Sequence, residues 1–423
     1  MFEDERVYFW TALHGARQRS NAHAMLSFSA SDSQPLSARD PLEQALSPSL
    51  AGDELARYAR QIRLPQLGVE GQAVLKRAAV LIVGAGGLGS PAAMYLAAAG
   101  VGRIGIADAD RVEISNLHRQ LLHRTSDVGA MKTESTRAAL HAINPHVRVD
   151  AIAERVSSAN ALALVADYGV IIDGTDNFPT RYLLSDACVL TARPLVYGSV
   201  DRFEGQVSVF ATGAGPCYRC LFPTPPDPGT VQNCADAGVL GVMPGLIGLL
   251  QATEALKLIT GLGDSLAGRL LLVDALRMRF HTVTVERDAA CPACGTRELD
   301  ALIDYEQFCS PSMPRSASVE TILPHELSTL LNNGESIVII DVRESYEWDM
   351  GKIPTARLMP LGTLPDAADS LDRNADVIVY CHHGARSEAA AHQLLAGGFQ
   401  RVRNLTGGID RWSREVDPRV RRY

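Results

Sequence analysis

The sequence predicts an α/β protein in two parts: a larger parallel-sheet unit carrying a four-cysteine metal site, then a smaller α/β unit. Three observations predict this. Short apolar runs alternate with helical stretches from Val80 to Pro145 and again after Ser336, as strands buried on both faces do in parallel sheets. Glycines at Gly84, Gly86 and Gly89 follow the first run and open an alanine-rich helix with Pro91 in its first turn. Two Cys-x-x-Cys pairs, Cys217 with Cys220 and Cys291 with Cys294, lie well apart in the chain.

Composition sets the bounds. At 423 residues the chain is too long for one core, so two or three domains are expected. Hydrophobic residues make up 46% and charged residues 21%, enough apolar material for buried sheets. A net charge of −8 argues against nucleic acid as the main partner. No apolar run reads as long enough to cross a bilayer, and no apolar core follows the start, so neither a membrane nor a secretory signal is expected. Eight cysteines in that context point to metal binding or thiol chemistry in a reducing cytoplasm.

Residues 1–50 read as a mobile N-terminal extension, rich in Ser, Pro and Ala from Met25 onward, with Met25 itself a candidate start. Asp53 to Ile62 reads as a short amphipathic helix on which Arg57 and Arg60 are solvated charges. Val80 to Val83 is the first buried strand. The bare backbone of Gly84, Gly86, Gly87 and Gly89 lets a phosphate approach, and the helix N-terminus offers unpaired N–H groups; glycine-rich turns also occur for packing alone. Arg103 to Ala107 is the second strand, followed by Asp108 where a parallel dinucleotide fold places a carboxylate against a ribose. Val170 to Asp173 is the third, running into Gly174-Thr175-Asp176-Asn177. Ligands sit at the carboxyl ends of such strands, so Asp108, Asp110, Asp173 and Asp176 are expected on one crevice. To this point a nicotinamide-dependent oxidoreductase fits as well as anything. Arg119 and Lys132 weigh against it. Singly each reads as a surface charge, but together with the glycines and Asp176 they favour ATP, because a triphosphate needs more positive charge than a pyrophosphate.

The two Cys-x-x-Cys hairpins suit tetrahedral four-thiolate zinc, a structural site with no open position for water. Unrelated redox pairs, or one redox pair plus packing cysteines, are the alternative. Cys234, in Asn233-Cys234-Ala235-Asp236-Ala237-Gly238, reads either as a reactive thiol on an exposed turn or as an inert half-buried one. Residues 297–318 lose periodicity and read as a linker. In the second unit, strand Asp376 to Tyr380 ends on Cys381-His382-His383-Gly384-Ala385-Arg386, with a helix following. A sulfur so placed meets the positive end of the helix and curling backbone N–H groups, and Arg386 adds a cation. Four residues separate Cys381 from Arg386, one fewer than in a phosphatase loop, which makes a smaller ring suited to a terminal persulfide sulfur.

These residues also carry a resemblance. Arg57-Tyr58-Ala59-Arg60-Gln61, the glycine loop, Asp108-Ala109-Asp110, Asn116-Leu117-His118-Arg119-Gln120, Lys132, Asp173-Gly174-Thr175-Asp176-Asn177 and both cysteine pairs are similar to the MoeB/ThiF branch of the ubiquitin-activating superfamily. Asp341-Val342-Arg343-Glu344, Gly351-Lys352-Ile353-Pro354, the Cys381 loop and Gly407-Gly408-Ile409-Asp410-Arg411-Trp412 resemble a rhodanese domain. The resemblance implies a Rossmann-like adenylation domain over 51–296, then a rhodanese domain over 319–423. It implies that ATP and Mg²⁺ adenylate the C-terminal Gly-Gly carboxylate of a ubiquitin-like sulfur carrier of MoaD or ThiS type. A Cys381 persulfide, loaded by a cysteine desulfurase or thiosulfate, then yields a thiocarboxylate for molybdenum cofactor synthesis, or alternatively for thiamine thiazole or tRNA thiolation. In this reading Asp176 holds Mg²⁺, Asp108 and Asp110 serve the ribose side, Asn116 and Asn177 position the nucleotide, and Arg119 and Lys132 neutralise phosphates. Arg60 would reach the phosphates of a second copy, which implies a homodimer. Cys234 matches a cysteine that some relatives use covalently and others do without. His382 and His383 depart from the Arg-Ser seen in many sulfurtransferases and lower the loop's positive charge.

Overall fold

The structure, a computed structural model, describes residues 50–226, 238–309 and 319–422. The expected N-terminal extension and Cys234 lie outside the described residues, apart from Leu50. The chain divides into two compact units, one holding the described residues up to Pro225 and from Gly238 to Cys309, the other holding those from 319 onward together with Pro226.

The first unit is built on one sheet of eight strands: β1 (Ala79–Val83), β2 (Arg103–Ala107), β3 (Arg148–Ile152), β4 (Val170–Asp173), β5 (Leu195–Asp201), β6 (Glu204–Phe210), β7 (Arg269–Asp274) and β8 (Arg279–Thr284). Their order is β3-β2-β1-β4-β5-β6-β7-β8. The first five strands pair in parallel, and β5 to β8 form an antiparallel meander. Side-chain alternation explains why both faces are covered. Val80 and Ile82 of β1 enter one core, with Ala93 and Leu96 of the helix Gly89–Ala99 and Ala252 and Ala255 of the helix Val242–Thr260. Leu81 and Val83 enter the opposite core, with Tyr182, Leu184 and Ala187 of the helix Phe178–Thr191.

The structure departs from the sequence reading in several places. The stretch Asp53 to Ile62 is two short helices, Gly52–Arg57 and Ala59–Ile62, broken at Tyr58. Tyr58 is buried, and its hydroxyl accepts a hydrogen bond from Asn144 Nδ2 at 2.8 Å, so the chain turns to seat it. Strand β3 was not anticipated, because Arg148-Val149-Asp150 lacks an apolar run. It is the sheet edge, pinned where Arg103 Nε and the Tyr168 hydroxyl donate to Asp150 at 2.6 and 3.0 Å. Within the stretch read as linker, Tyr305–Cys309 is a helix whose buried Tyr305 hydroxyl donates to Asp186 at 2.6 Å. The helix Val242–Thr260 corrects the membrane reading: it is long and apolar enough to cross a bilayer by length and composition. Its buried face packs into the sheet instead, where Gln251 Nε2 donates to the Asp173 carbonyl at 2.7 Å and the Leu266 N–H donates to Glu254 at 2.7 Å.

The second unit is a five-stranded all-parallel sheet of β9 (Glu320–Ile322), β10 (Ile337–Asp341), β11 (Arg357–Leu358), β12 (Asp376–Tyr380) and β13 (Arg401–Leu405), ordered β11-β10-β12-β13-β9. Val377 and Val379 of β12 face one core, Ile378 and Tyr380 the other. Close approach in the first unit has a testable consequence. A Cβ on Gly102 would stand 1.8 Å from the Lys76 carbonyl oxygen, so Gly102→Ala should cost about 1–3 kcal/mol, read as a lower denaturant midpoint.

Candidate active site

The carboxyl ends of β1, β2 and β4 converge on a crevice of about 430 Å³. Gly84, Gly86, Gly87, Asp108, Asp110, Arg119, Lys132, Asp176 and Asn177 all line it. The glycine loop turns sharply at Gly84, whose φ of 97° lies in the left-handed region that favours glycine. Gly89 lies beneath, where a Cβ would come 1.9 Å from the Gly84 carbonyl oxygen. Asp108 grips the loop: its Oδ2 accepts the Ala85 N–H at 2.8 Å and its Oδ1 the Asp110 N–H at 2.8 Å. Lys132, with a side chain 9% exposed, reaches Asp110 Oδ2 at 2.8 Å. Arg119 Nη1 donates to the Ser115 carbonyl at 3.0 Å and meets His118 Nε2 at 2.8 Å. Asn177 caps the helix Phe178–Thr191, its Oδ1 accepting the Thr180 N–H at 3.0 Å, and Asp176 just before it is exposed.

Three expected residues stand elsewhere. Asp173, expected on the crevice, is fully buried below it. Its Oδ1 accepts from the Thr175 N–H and hydroxyl at 2.9 and 2.6 Å, and burial raises its pKa above the usual carboxylate range. Asn116 is buried off the wall, accepting the Glu113 N–H at 3.1 Å and shaping the turn that carries Arg119. Arg60 is exposed and does not line the crevice of its own chain. Glu154, Arg155 and Gln120 line the wall unforeseen, the first two because they follow the unanticipated strand β3.

Cys217, Cys220, Cys291 and Cys294 bring four sulfurs within 4.8 Å of one another. Tetrahedral zinc with Zn–S of about 2.3 Å sets sulfurs about 3.8 Å apart. Here Cys217 stands 3.9 Å from Cys220 and 3.5 Å from Cys291, and Cys220 stands 3.3 Å from Cys294. The Asp288 N–H also donates to Cys220 at 3.4 Å. The set fits a metal ion such as zinc.

In the second unit Cys381 is 2% exposed, and its sulfur accepts from the Gly384 N–H at 3.1 Å and the Ser387 hydroxyl at 3.4 Å. The Arg386 guanidinium is taken up by Glu347, at 2.6 and 2.8 Å, both residues buried, so it braces the loop. Glu347, Ser387 and Asn404, none anticipated, complete the surround; Ser387 Oγ also lies 2.7 Å from Asn404 Oδ1. Burial, with His383 stacked at 4.0 Å, pushes the His382 pKa down to about 4. His382 is therefore neutral at physiological pH, in line with the reduced positive charge expected of this loop.

The ThiF family matches residues 58–293, more than half of the chain. The chain belongs to the ThiF family. A rhodanese-like domain matches residues 323–415. This ThiF-family chain is 44% identical over 392 residues to "Probable adenylyltransferase/sulfurtransferase MoeZ" of Mycobacterium tuberculosis, covering 90% of this chain and 98% of that protein. It is 41% identical over 391 residues to "Adenylyltransferase and sulfurtransferase MOCS3-1" of Zea mays, covering 88% and 84%. The fold is also that of Escherichia coli MccB in complex with MccA-N7isoASN, at a TM-score of 0.51 and 23% identity over 57% of this chain and 75% of that one. The chain is an enzyme of the adenylyltransferase and sulfurtransferase class, and its adenylation domain implies the use of ATP.

Two measurements check this geometry. Elemental analysis should find one zinc per chain, and Cys291→Ser or chelation should remove it and lower the melting temperature; unchanged melting after metal loss would refute a structural site. His382 has a folded pKa below its ordinary value, so the unfolded chain binds the extra proton first. The stability it contributes is therefore present above about pH 6.5 and declines toward pH 4, by up to about 3 kcal/mol. Urea unfolding of wild type against His382→Gln over that range should show the difference.

Proposed function

We propose that this protein adenylates the C-terminal carboxylate of a ubiquitin-like sulfur carrier and then sulfurates it from a Cys381 persulfide. The observation that carries the reading is the presence in one chain of a cation-lined glycine-loop crevice and a cysteine whose sulfur accepts from the Gly384 N–H and the Ser387 hydroxyl. The carrier's Gly-Gly carboxylate attacks the α-phosphorus of ATP, the bond to pyrophosphate breaks, and an acyl-adenylate forms. Arg119 and Lys132 meet the phosphates, displacing part of the Lys132–Asp110 pairing. The glycine loop N–H groups face the same charge, and Asp108 takes the ribose. Asp176, exposed on the wall, would hold Mg²⁺, which neutralises phosphate charge when bound.

The Cys381 persulfide anion then attacks the acyl carbon and expels AMP, leaving the carrier joined to Cys381 through an acyl disulfide. A second thiol attacks the Cys381 sulfur, releases the thiocarboxylate and forms a disulfide that an external thiol reduces. Cys234 is the candidate for that thiol. The persulfide sulfur comes from a cysteine desulfurase or thiosulfate. A homodimer gives the exposed Arg60 a role in the crevice of a second copy. The zinc site holds the fold, and the setting is cytoplasmic. Molybdenum cofactor synthesis is the pathway we favour, since relatives of the MoeZ and MOCS3 kind share most of the chain; thiamine thiazole synthesis and tRNA thiolation use the same chemistry on other carriers.

Mass spectrometry of candidate carriers after incubation with this protein, ATP, Mg²⁺ and thiosulfate should show sulfur replacing oxygen on one of them. Lys132→Ala should abolish ATP–pyrophosphate exchange and keep sulfur transfer from thiosulfate to cyanide. Cys381→Ala should do the reverse. Loss of both activities in either variant would refute the division of labour.

A further inference from the structure

Beneath the glycine loop runs a chain of four groups that the reaction above leaves unused. His123 is buried, at 5% exposed. Its Nε2 lies 3.2 Å from the Ala85 carbonyl oxygen, and its Nδ1 lies 2.9 Å from Ser135 Oγ. Ser135 Oγ in turn lies 2.7 Å from Asp127 Oδ2. Ser90 Oγ also donates to the Ala85 carbonyl, at 3.3 Å.

Counting protons along this chain gives a definite answer. The Ala85 carbonyl at one end only accepts. At the other end, hydrogen bonds from Ser135 and the Arg124 N–H hold the Asp127 carboxyl below its ordinary range, so it too only accepts. Three contacts therefore need three protons. A neutral imidazole and a serine hydroxyl bring two. With His123 neutral, one contact always sets lone pair against lone pair: Nε2 against the carbonyl, or Ser135 against either Nδ1 or Asp127. An imidazolium supplies the missing proton and satisfies all three.

The Ala85 carbonyl belongs to the same planar peptide as the Gly86 N–H, which points the opposite way. Holding that carbonyl on His123 turns the Gly86 N–H away from His123, and Gly86 lines the crevice. Burial above all, with Lys132, holds the His123 pKa below the ordinary histidine value, so the imidazole rests neutral without a ligand, while the Ala85 hydrogen bond, Asp127 and Asp108 pull the other way. An anion arriving in the crevice adds to the second set.

We propose that His123 is a positioning residue that takes up a proton when a nucleotide polyphosphate binds, completing the Ala85–His123–Ser135–Asp127 chain and fixing the Gly86 N–H toward the phosphates. This rests on the nucleotide reading of the crevice given above.

The test is calorimetry of a non-hydrolysable ATP analogue with Mg²⁺, in buffers of different ionisation enthalpy, on wild type, His123→Gln and Ser135→Ala. Glutamine keeps a donor and an acceptor but cannot titrate, and alanine removes the link to Asp127. The ligand's own ionisation is common to all three and cancels in the comparison. Wild type should take up more protons than either variant. Its affinity relative to His123→Gln should rise as pH falls from about 8 to about 6, approaching about tenfold per pH unit where one proton is taken up. Equal proton uptake by three folded proteins, checked by circular dichroism, overturns the inference alone. Failure of the wild type to bind the analogue at all overturns both the inference and the adenylation reading.

Discussion

The crevice depends on a contact between bare backbones. The loops after β1 and β4 lie so close that no side chain fits between them. A Cβ on Gly84 would meet the Gly174 carbonyl oxygen at 2.6 Å, and one on Gly174 would meet the Gly84 oxygen at 2.8 Å. Gly89 closes the same knot from the helix side, where a Cβ would come 1.9 Å from that oxygen. Three glycines therefore set how near two strand ends approach, and that spacing decides where the helix N-terminus and the Asp176-Asn177 turn stand. An alanine at any of the three would force backbone to move, which side-chain repacking cannot relieve.

The Cys217–Cys220 hairpin supports the crevice from a distance. Between Cys217 and Cys220, buried Arg219 forks onto Asp186, with contacts of 2.9, 3.2 and 2.8 Å. Asp186 belongs to the helix Phe178–Thr191, whose N-cap is Asn177. The cysteine hairpin is thus tied through one buried ion pair to the helix whose N-terminus stands at the site. Breaking such a pair on one side leaves an uncompensated buried charge, so the coupling is strong as long as both partners are present. The second unit uses the same logic around Cys381. Arg386 with Glu347 and Arg343 with Asp341 are buried pairs, and a Cβ on Gly408 would come 2.4 Å from the Cys381 carbonyl oxygen.

Environment sorts four aspartates of similar sequence context. Asp108 spends both oxygens on backbone N–H groups and so fixes the glycine loop. Asp110 holds Lys132, Asp173 is buried as a brace for Thr175, and Asp176 stays exposed. Their sequence positions, each at or just past a strand end, are nearly equivalent. Local hydrogen bonding and burial are what separate them, and neither can be read from residue type.

What the sequence determined by itself is whatever depends on local pattern. Apolar runs marked β1, β2, β4, β10 and β12, because a strand buried on two faces must be apolar throughout. Glycine spacing marked the phosphate-type loop, Cys-x-x-Cys spacing marked the metal set, and a cysteine between strand and helix marked the sulfur loop. The tertiary structure alone decided what depends on distant partners. Strand β3 is stabilised by Arg103 and Tyr168 rather than by its own composition, so its residues and the wall positions after it were not legible. Asp173 left the wall because the turn at Thr175 folds over it. Arg386 lost its free charge to Glu347, thirty-nine residues away in sequence. His123 comes to lie beneath the glycine loop only because Ala85, Ser135 and Asp127 meet in one hydrogen-bonded chain with it. Hydrogen bonds between residues far apart in the chain leave no periodicity, and periodicity is what a single sequence displays.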